Sequence, residues 1–123
     1  MITGRVNVGG EAVIDLTVQG PERRPQEISA IVDTGINGWL TLPSSLVGIL
    51  RLPFRGCGRA TLADGSETLF DIHEGTVIWD GQPRQISVHV SESDPLVGMG
   101  LFYGYELNIQ VVEGGSVAIE KLS

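Results

Sequence analysis

Turn dipeptides break this chain into short, β-branched runs, and that punctuation limits the fold more than any other feature. Gly9-Gly10, Asp64-Gly65, Asp80-Gly81 and Gly114-Gly115 each separate two apolar segments. Asp-Gly and Gly-Gly supply the positive φ angles that tight hairpins need. Turn signals recurring roughly every 8–12 residues between short strands favour an all-β barrel or sandwich, closed or nearly so. Gly contributes 17 and Pro 6 of the 123 residues, above the usual background. The length suits one domain, residues 1–123, with one modest core and no linker dividing it.

Alternation places the strands. Ile2 to Val8 and Ala12 to Gln19 form a first pair, with Ile14, Leu16 and Val18 on one face of the second run. Gly20 to Pro25 is a loop, because two prolines and a glycine oppose regular pairing. Ile28 to Val32 is a short apolar strand ending at Asp33-Thr34-Gly35, and Trp39 to Leu42 resumes extended structure. Pro43 to Leu50 reads as a helix with proline at its start and Leu46, Ile49 and Leu50 on one face. Three hairpins follow: Arg59–Leu62 with Glu67–Phe70, Gly75–Trp79 with Gln85–Val90, and Glu106–Val112 with Ser116–Glu120. Between the last two lie the brief apolar piece Leu96 to Met99 and one or two helical turns within Leu101–Leu107.

Charge and cysteine usage narrow the function. Eight Lys and Arg against 15 Asp and Glu give a net charge of −7. With no basic cluster beyond Arg23-Arg24, neither nucleic acid nor an anionic membrane is the expected partner. A basic or neutral peptide fits the balance. Cys57 is the only cysteine, so an intramolecular disulfide and Cys-rich zinc sites are excluded. No stretch approaches the ~20 apolar residues that cross a bilayer, and the first residues lack a secretory pattern. A reducing, cytoplasmic setting is the expectation.

The sharpest local feature is Ile31-Val32-Asp33-Thr34-Gly35, followed by Trp39-Leu40-Thr41-Leu42-Pro43. An apolar strand delivers a carboxylate into a turn, where ionisation is costly without a partner. Standing alone, Asp-Thr-Gly after a strand is more often a plain turn. Taken with the Asp-Gly hairpin Ala63-Asp64-Gly65-Ser66 and the later Leu96-Val97-Gly98, the chain resembles a retropepsin-like aspartic protease from about Ile28 to Leu122. The likeness is closer to single-domain cellular or prokaryotic members than to viral ones.

That resemblance implies a closed, retropepsin-like acid protease barrel with one or two short helices, and an endopeptidase without cofactor or metal. Its chemistry needs two carboxylates sharing one proton. The chain carries one Asp-Thr-Gly, so a homodimer would bring two Asp33 carboxylates together across a two-fold axis. By resemblance Thr34 would brace the pair across the axis, and Gly35 would leave room for the attacking water. The Arg59–Phe70 hairpin would be the flap, with Ala63, Asp64, Gly65 and Ser66 binding substrate backbone, and Leu96-Val97-Gly98 would pack behind the Asp33 turn. Three departures from the viral pattern stand out. Met99-Gly100-Leu101-Phe102 replaces an arginine-led helix opening, Ile36-Asn37-Gly38 replaces smaller polar residues, and the flap is poorer in glycine.

Other constellations are weaker. His73 and His89 lack a metal-ligand spacing, and Ser44, Ser45 and Ser66 lack a nucleophile signature. Cys57 has no evident activating base, and Trp39 and Trp79 read as core or interface residues. The alternatives to a protease are a dimeric peptide-binding or assembly module that keeps the fold, and a monomeric barrel in which Asp33 is a turn residue.

Overall fold

Ten strands and two short helices make up the computed structural model, which describes every residue except Arg23 of the Gly20–Pro25 loop. The strands are β1 (Ile2–Val6), β2 (Ala12–Gln19), β3 (Pro25–Val32), β4 (Leu40–Leu42), β5 (Phe54–Thr61), β6 (Glu67–Trp79), β7 (Gln82–Val90), β8 (Leu96–Val97), β9 (Tyr105–Ile109) and β10 (Ser116–Lys121). The helices are α1 (Ser44–Leu50) and α2 (Met99–Phe102).

The ladder runs β5-β6-β7-β4-β8-β3-β2-β1-β10-β9, with a further β6–β2 pairing. That extra pairing, through Thr17↔Ile78, Val18↔Val77 and Gln19↔Thr76, closes a ring of β2, β3, β8, β4, β7 and β6. Two parallel contacts, β3 with β8 and β4 with β7, interleave the first and second halves of the chain. Closure is uneven. β5 hangs outside on β6, and β1, β10 and β9 form a wing on β2. β2 serves both parts from one edge: Ala12 to Ile14 pair with β1, and Thr17 to Gln19 pair with β6.

The core lies inside the ring and under the wing. Ala12, Ile14, Leu16 and Val18 of β2 point inward as their alternation requires, and they meet Leu40, Leu42, Val77, Val88, Val97, Val117 and Ile119. Trp79 is the largest fully buried side chain, flanked by Phe102 and Tyr105 with ring centroids 5.7 and 5.8 Å away. Each such burial contributes about 1.5–3 kcal/mol relative to exposure, more for the larger rings.

Four local expectations change. The Glu67–Phe70 and Gly75–Trp79 segments are one strand of 13 residues, because Gly75 does not break it. Gly75 is buried, and a Cβ there would sit 3.4 Å from Leu52 and Val88 side-chain carbons, so the strand uses it for close packing. On α1 the buried residues are Val47 and Leu50, while Ile49 is 68% exposed. The helical turn near Leu101 ends at Phe102, and Gly104 at φ 86° redirects the chain into β9. β3 begins at Pro25, inside the segment read as loop. The Asp80-Gly81 turn holds as read: φ angles of 52° and 79° are those of a type I′ hairpin. Among the described residues no helix is long and apolar enough to cross a membrane.

Candidate active site

Asp33 leaves the last residue of β3 and is fixed from both sides. Its N–H donates to the Val97 carbonyl at 2.8 Å, which extends the parallel β3–β8 ladder by one bond. Its Oδ1 accepts the Gly35 N–H at 3.0 Å, an Asx turn that holds the carboxylate over the loop. The side chain is half-buried, and Thr34 and Gly35 are exposed. The Thr34 hydroxyl has no hydrogen-bond partner among the described residues. Gly35 does not adopt a left-handed φ; a Cβ there would stand 3.2 Å from Asp33 Oδ1, so glycine serves proximity to the acid.

The loop from Ile36 to Trp39 is clasped by the start of α2. Met99 N–H donates to Ile36 O at 2.8 Å, Gly98 N–H to Trp39 O at 3.0 Å and Gly100 N–H to Gly38 O at 3.0 Å. Leu96-Val97-Gly98 therefore does lie behind the Asp33 turn. A Cβ on Gly98 would collide with the Gly38 carbonyl and would meet Ile36 Cγ2 at 2.8 Å. Backbone cannot yield there as a flexible side chain can. Gly98→Ala is expected to cost about 2–3 kcal/mol and to lower the urea midpoint with m unchanged, as measured by equilibrium unfolding.

The hairpin expected to act as a flap is β5 with β6, and its tip, Ala63 to Ser66, is exposed. Gly65 at φ 84° makes the turn, and its N–H donates to Leu62 O at 2.9 Å. Asp64 Oδ1 accepts both the Ser66 N–H at 2.9 Å and its hydroxyl at 2.5 Å, and the Ser66 hydroxyl and amide hold the Asp64 carboxyl below its ordinary range. Two of the four tip amides are thus engaged inside the turn. The Ala63 and Asp64 N–H groups make no such bond to another residue among the described residues.

Between the flap base and the Asp33 loop runs a groove of about 510 Å³, lined by residues that include Ile36, Thr41, Phe70, His89, Glu92 and Leu96. A larger concavity of about 600 Å³, walled by Pro21, Pro53 and Pro83, holds none of the candidate catalytic residues. The groove is the better candidate because Ile36 and Leu96 flank the Asp33 turn in sequence and in the β3–β8 pairing.

Two groove residues take roles that the sequence reading, which weighs His89 only as a metal ligand, does not assign. His89 packs against the flap ring of Phe70, centroids 4.7 Å apart, and against Gly38, where a Cβ would lie 3.1 Å from its Cε1. Burial pushes its pKa down, which keeps the imidazole neutral to lower pH. Glu92 Oε1 accepts the Ser44 N–H at 3.0 Å, and hydrogen bonding from Ser44 holds the Glu92 carboxyl below its ordinary range. It thereby caps α1, whose own N-cap, Pro43, offers no side-chain bond. Both roles depend on residues more than 18 positions apart, and no local pattern marks them.

The remaining candidates are dispersed. His73 binds the Leu52 carbonyl through Nδ1 at 2.8 Å, and the register Ile72↔His89 and His73↔Val88 puts the two histidines on opposite faces of the β6–β7 ladder. Cys57 is exposed, and its thiol donates to Asp71 Oδ1 with Sγ at 3.7 Å. Trp79 is core, whereas Trp39 is 38% exposed beside Gly100.

No protein-family model matches the chain, and no curated protein matches it. Among solved structures it is similar to a retropepsin-like aspartic protease from Rickettsia conorii, at 16% identity and a TM-score of 0.64, over 99% of this chain and 92% of that one. The β-rich architecture with two short helices is thus a retropepsin-like fold.

Proposed function

We propose that the chain, residues 1–123 acting as one domain, is an aspartic endopeptidase that works as a homodimer. The observation that carries this reading is the half-buried Asp33 carboxylate, held by the Gly35 N–H at the mouth of β3 in a retropepsin-like fold. Oδ2 of Asp33 has no hydrogen-bond partner among the described residues, and neither has the Thr34 hydroxyl. Both are free to meet their counterparts across a two-fold axis.

Two such carboxylates at close range share one proton, because doubling the charge in a poorly hydrated site is costly. The ionised member takes a proton from water as the water oxygen bonds to the peptide carbonyl carbon. The protonated member gives its proton to the carbonyl oxygen. When the C–N bond breaks, the amine nitrogen leaves with a proton and the pair returns to its shared state. Gly35 leaves space beside the acid for that water. The flap, with Ala63, Asp64, Gly65 and Ser66 at its tip, would bind the substrate as an extended strand, with the groove beside Phe70 and His89 taking an apolar side chain. A cytoplasmic setting accords with the lone, exposed Cys57 thiol.

A non-catalytic peptide-binding module is favoured by one observation, the Gly65 and Ser66 amides of the hairpin tip being bonded within the turn and not open to a substrate. Incubation of the purified chain with an unfolded protein across acid to neutral pH separates the two. The enzyme is expected to generate new amino termini, and a statine-type inhibitor is expected to suppress them. Binding of the same peptides without cleavage at any pH would establish the module instead.

A further inference from the structure

We propose that the groove beside the Asp33 turn takes a lysine or arginine of the peptide substrate, whose cation pairs with Glu92. The inference rests on the peptidase reading above and narrows it, from any extended peptide to one that places a basic residue in this groove.

The groove is mostly apolar and carries one fixed charge. Its floor crosses three strands through Leu96, Thr41 and His89, which stand opposite one another in the β8–β4 and β4–β7 registers. Ile36 borders it on the side of the acid, and Phe70 borders it from the hairpin. Glu92 is the only Asp or Glu among the described residues that line it, and no Lys or Arg does.

Glu92 is held in place and only half used. Its loop is tied down on either side, with the Ser91 N–H donating to Leu42 O at 3.1 Å and the Ser93 N–H to Ser91 O at 2.8 Å. Oε1 accepts the Ser44 N–H at 3.0 Å, whereas Oε2 has no partner among the described residues. Glu22, Glu67, Glu74 and Asp80 each have a cation within reach, namely Arg51, Arg59, Arg55 and the Met1 ammonium. Glu92 forms no such ion pair among the described residues. Hydrogen bonding from Ser44 keeps it ionised to lower pH than an ordinary carboxylate, and burial keeps His89 neutral to lower pH. Through weak acid the groove therefore holds a single negative charge.

What fills such a groove follows from desolvation. A leucine or phenylalanine would satisfy the walls and leave Oε2 shut off from water beside hydrocarbon, an uncompensated cost. A substrate carboxylate would add repulsion at close range. Lysine or arginine lays its methylene stem along Ile36, Leu96 and Phe70 and carries donors to Oε2, so that walls and charge are both matched. The net charge of −7 favours the approach of basic segments from solution.

The full chain is incubated with a mixed peptide library, the new termini are sequenced, and peptides retained by the immobilised chain are sequenced beside them. Lys and Arg are expected to be enriched about fivefold at one position near the cut, the scale of a partly exposed ion pair. The enrichment should shrink in 1 M salt. Glu92→Gln keeps an oxygen for the Ser44 N–H and removes the charge, and the enrichment should vanish. Glu92→Lys should put Asp and Glu at that same position, which loss of the α1 cap alone would not do. Cuts with the same profile in the parent and Glu92→Gln would overturn the assignment of Glu92 and leave the carboxylate reading intact. Basic peptides retained but never cut, with retention lost in Glu92→Gln, would uphold the groove assignment and overturn the peptidase. Peptides neither cut nor retained would overturn both.

Discussion

Asp33→Asn is expected to fold, associate and bind peptide like the parent while cleaving it about 10³-fold more slowly or worse. Asparagine preserves the shape of the side chain, and its carbonyl oxygen can still accept the Gly35 N–H that holds Asp33 Oδ1 at 3.0 Å. Its Nδ2 can neither take a proton from water nor share one, and general acid–base chemistry alone supplies about 10²–10⁴-fold. Mixing the variant with an equal amount of parent gives a sharper test, because chains re-pair. If both carboxylates are needed, only about one quarter of the dimers retain two acids, and activity should fall to that fraction of an equal total concentration of parent chains rather than to one half. Turnover by the pure variant near the parent rate would take Asp33 out of the chemistry.

Trp79→Ala is expected to have the largest effect on stability, about 3–5 kcal/mol. The indole is 1% exposed and packs between Phe102 of α2 and Tyr105 of β9. Truncation empties the place where ring, helix and wing meet. The indole also carries an oddity, in that Nε1 is buried with no hydrogen-bond partner among the described residues. An unpaired buried donor costs about 1–3 kcal/mol. Trp79→Phe keeps a ring in place and removes that donor, so its loss should be much smaller, roughly 1–2 kcal/mol. Urea unfolding of the three proteins measures the ranking. Equal losses for both variants would overturn the account of this site as one held by ring packing.

Much of this architecture is legible locally, for stated reasons. Asp80-Gly81 gave its hairpin because the dipeptide tolerates two successive positive φ angles. The alternation of β2 was read residue by residue because one face is buried. Errors arose where a long-range neighbour overrode a local signal. Gly75 looks like a break until Leu52 and Val88 are packed on it, and Ile49 looks like a core residue until α1 is seen to turn Val47 inward. The parallel contacts of β8 and β4 have no local signature at all. At the site, Asp33-Thr34-Gly35 and the packing of Gly98 behind it were readable as motif. His89 and Glu92 were not, since their roles exist only once β7 and its following loop lie beside the flap and α1.

The change of neighbours halfway along β2 makes that strand the axle between two parts of the molecule. β2 is bonded to β1 over Ala12–Ile14, to β6 over Thr17–Gln19 and to β3 along most of its length, so wing and ring share one backbone and a break in it would loosen both together. Asp15 sits where the partners change and accepts the Ser29 hydroxyl at 2.8 Å, which fastens that crossing to β3.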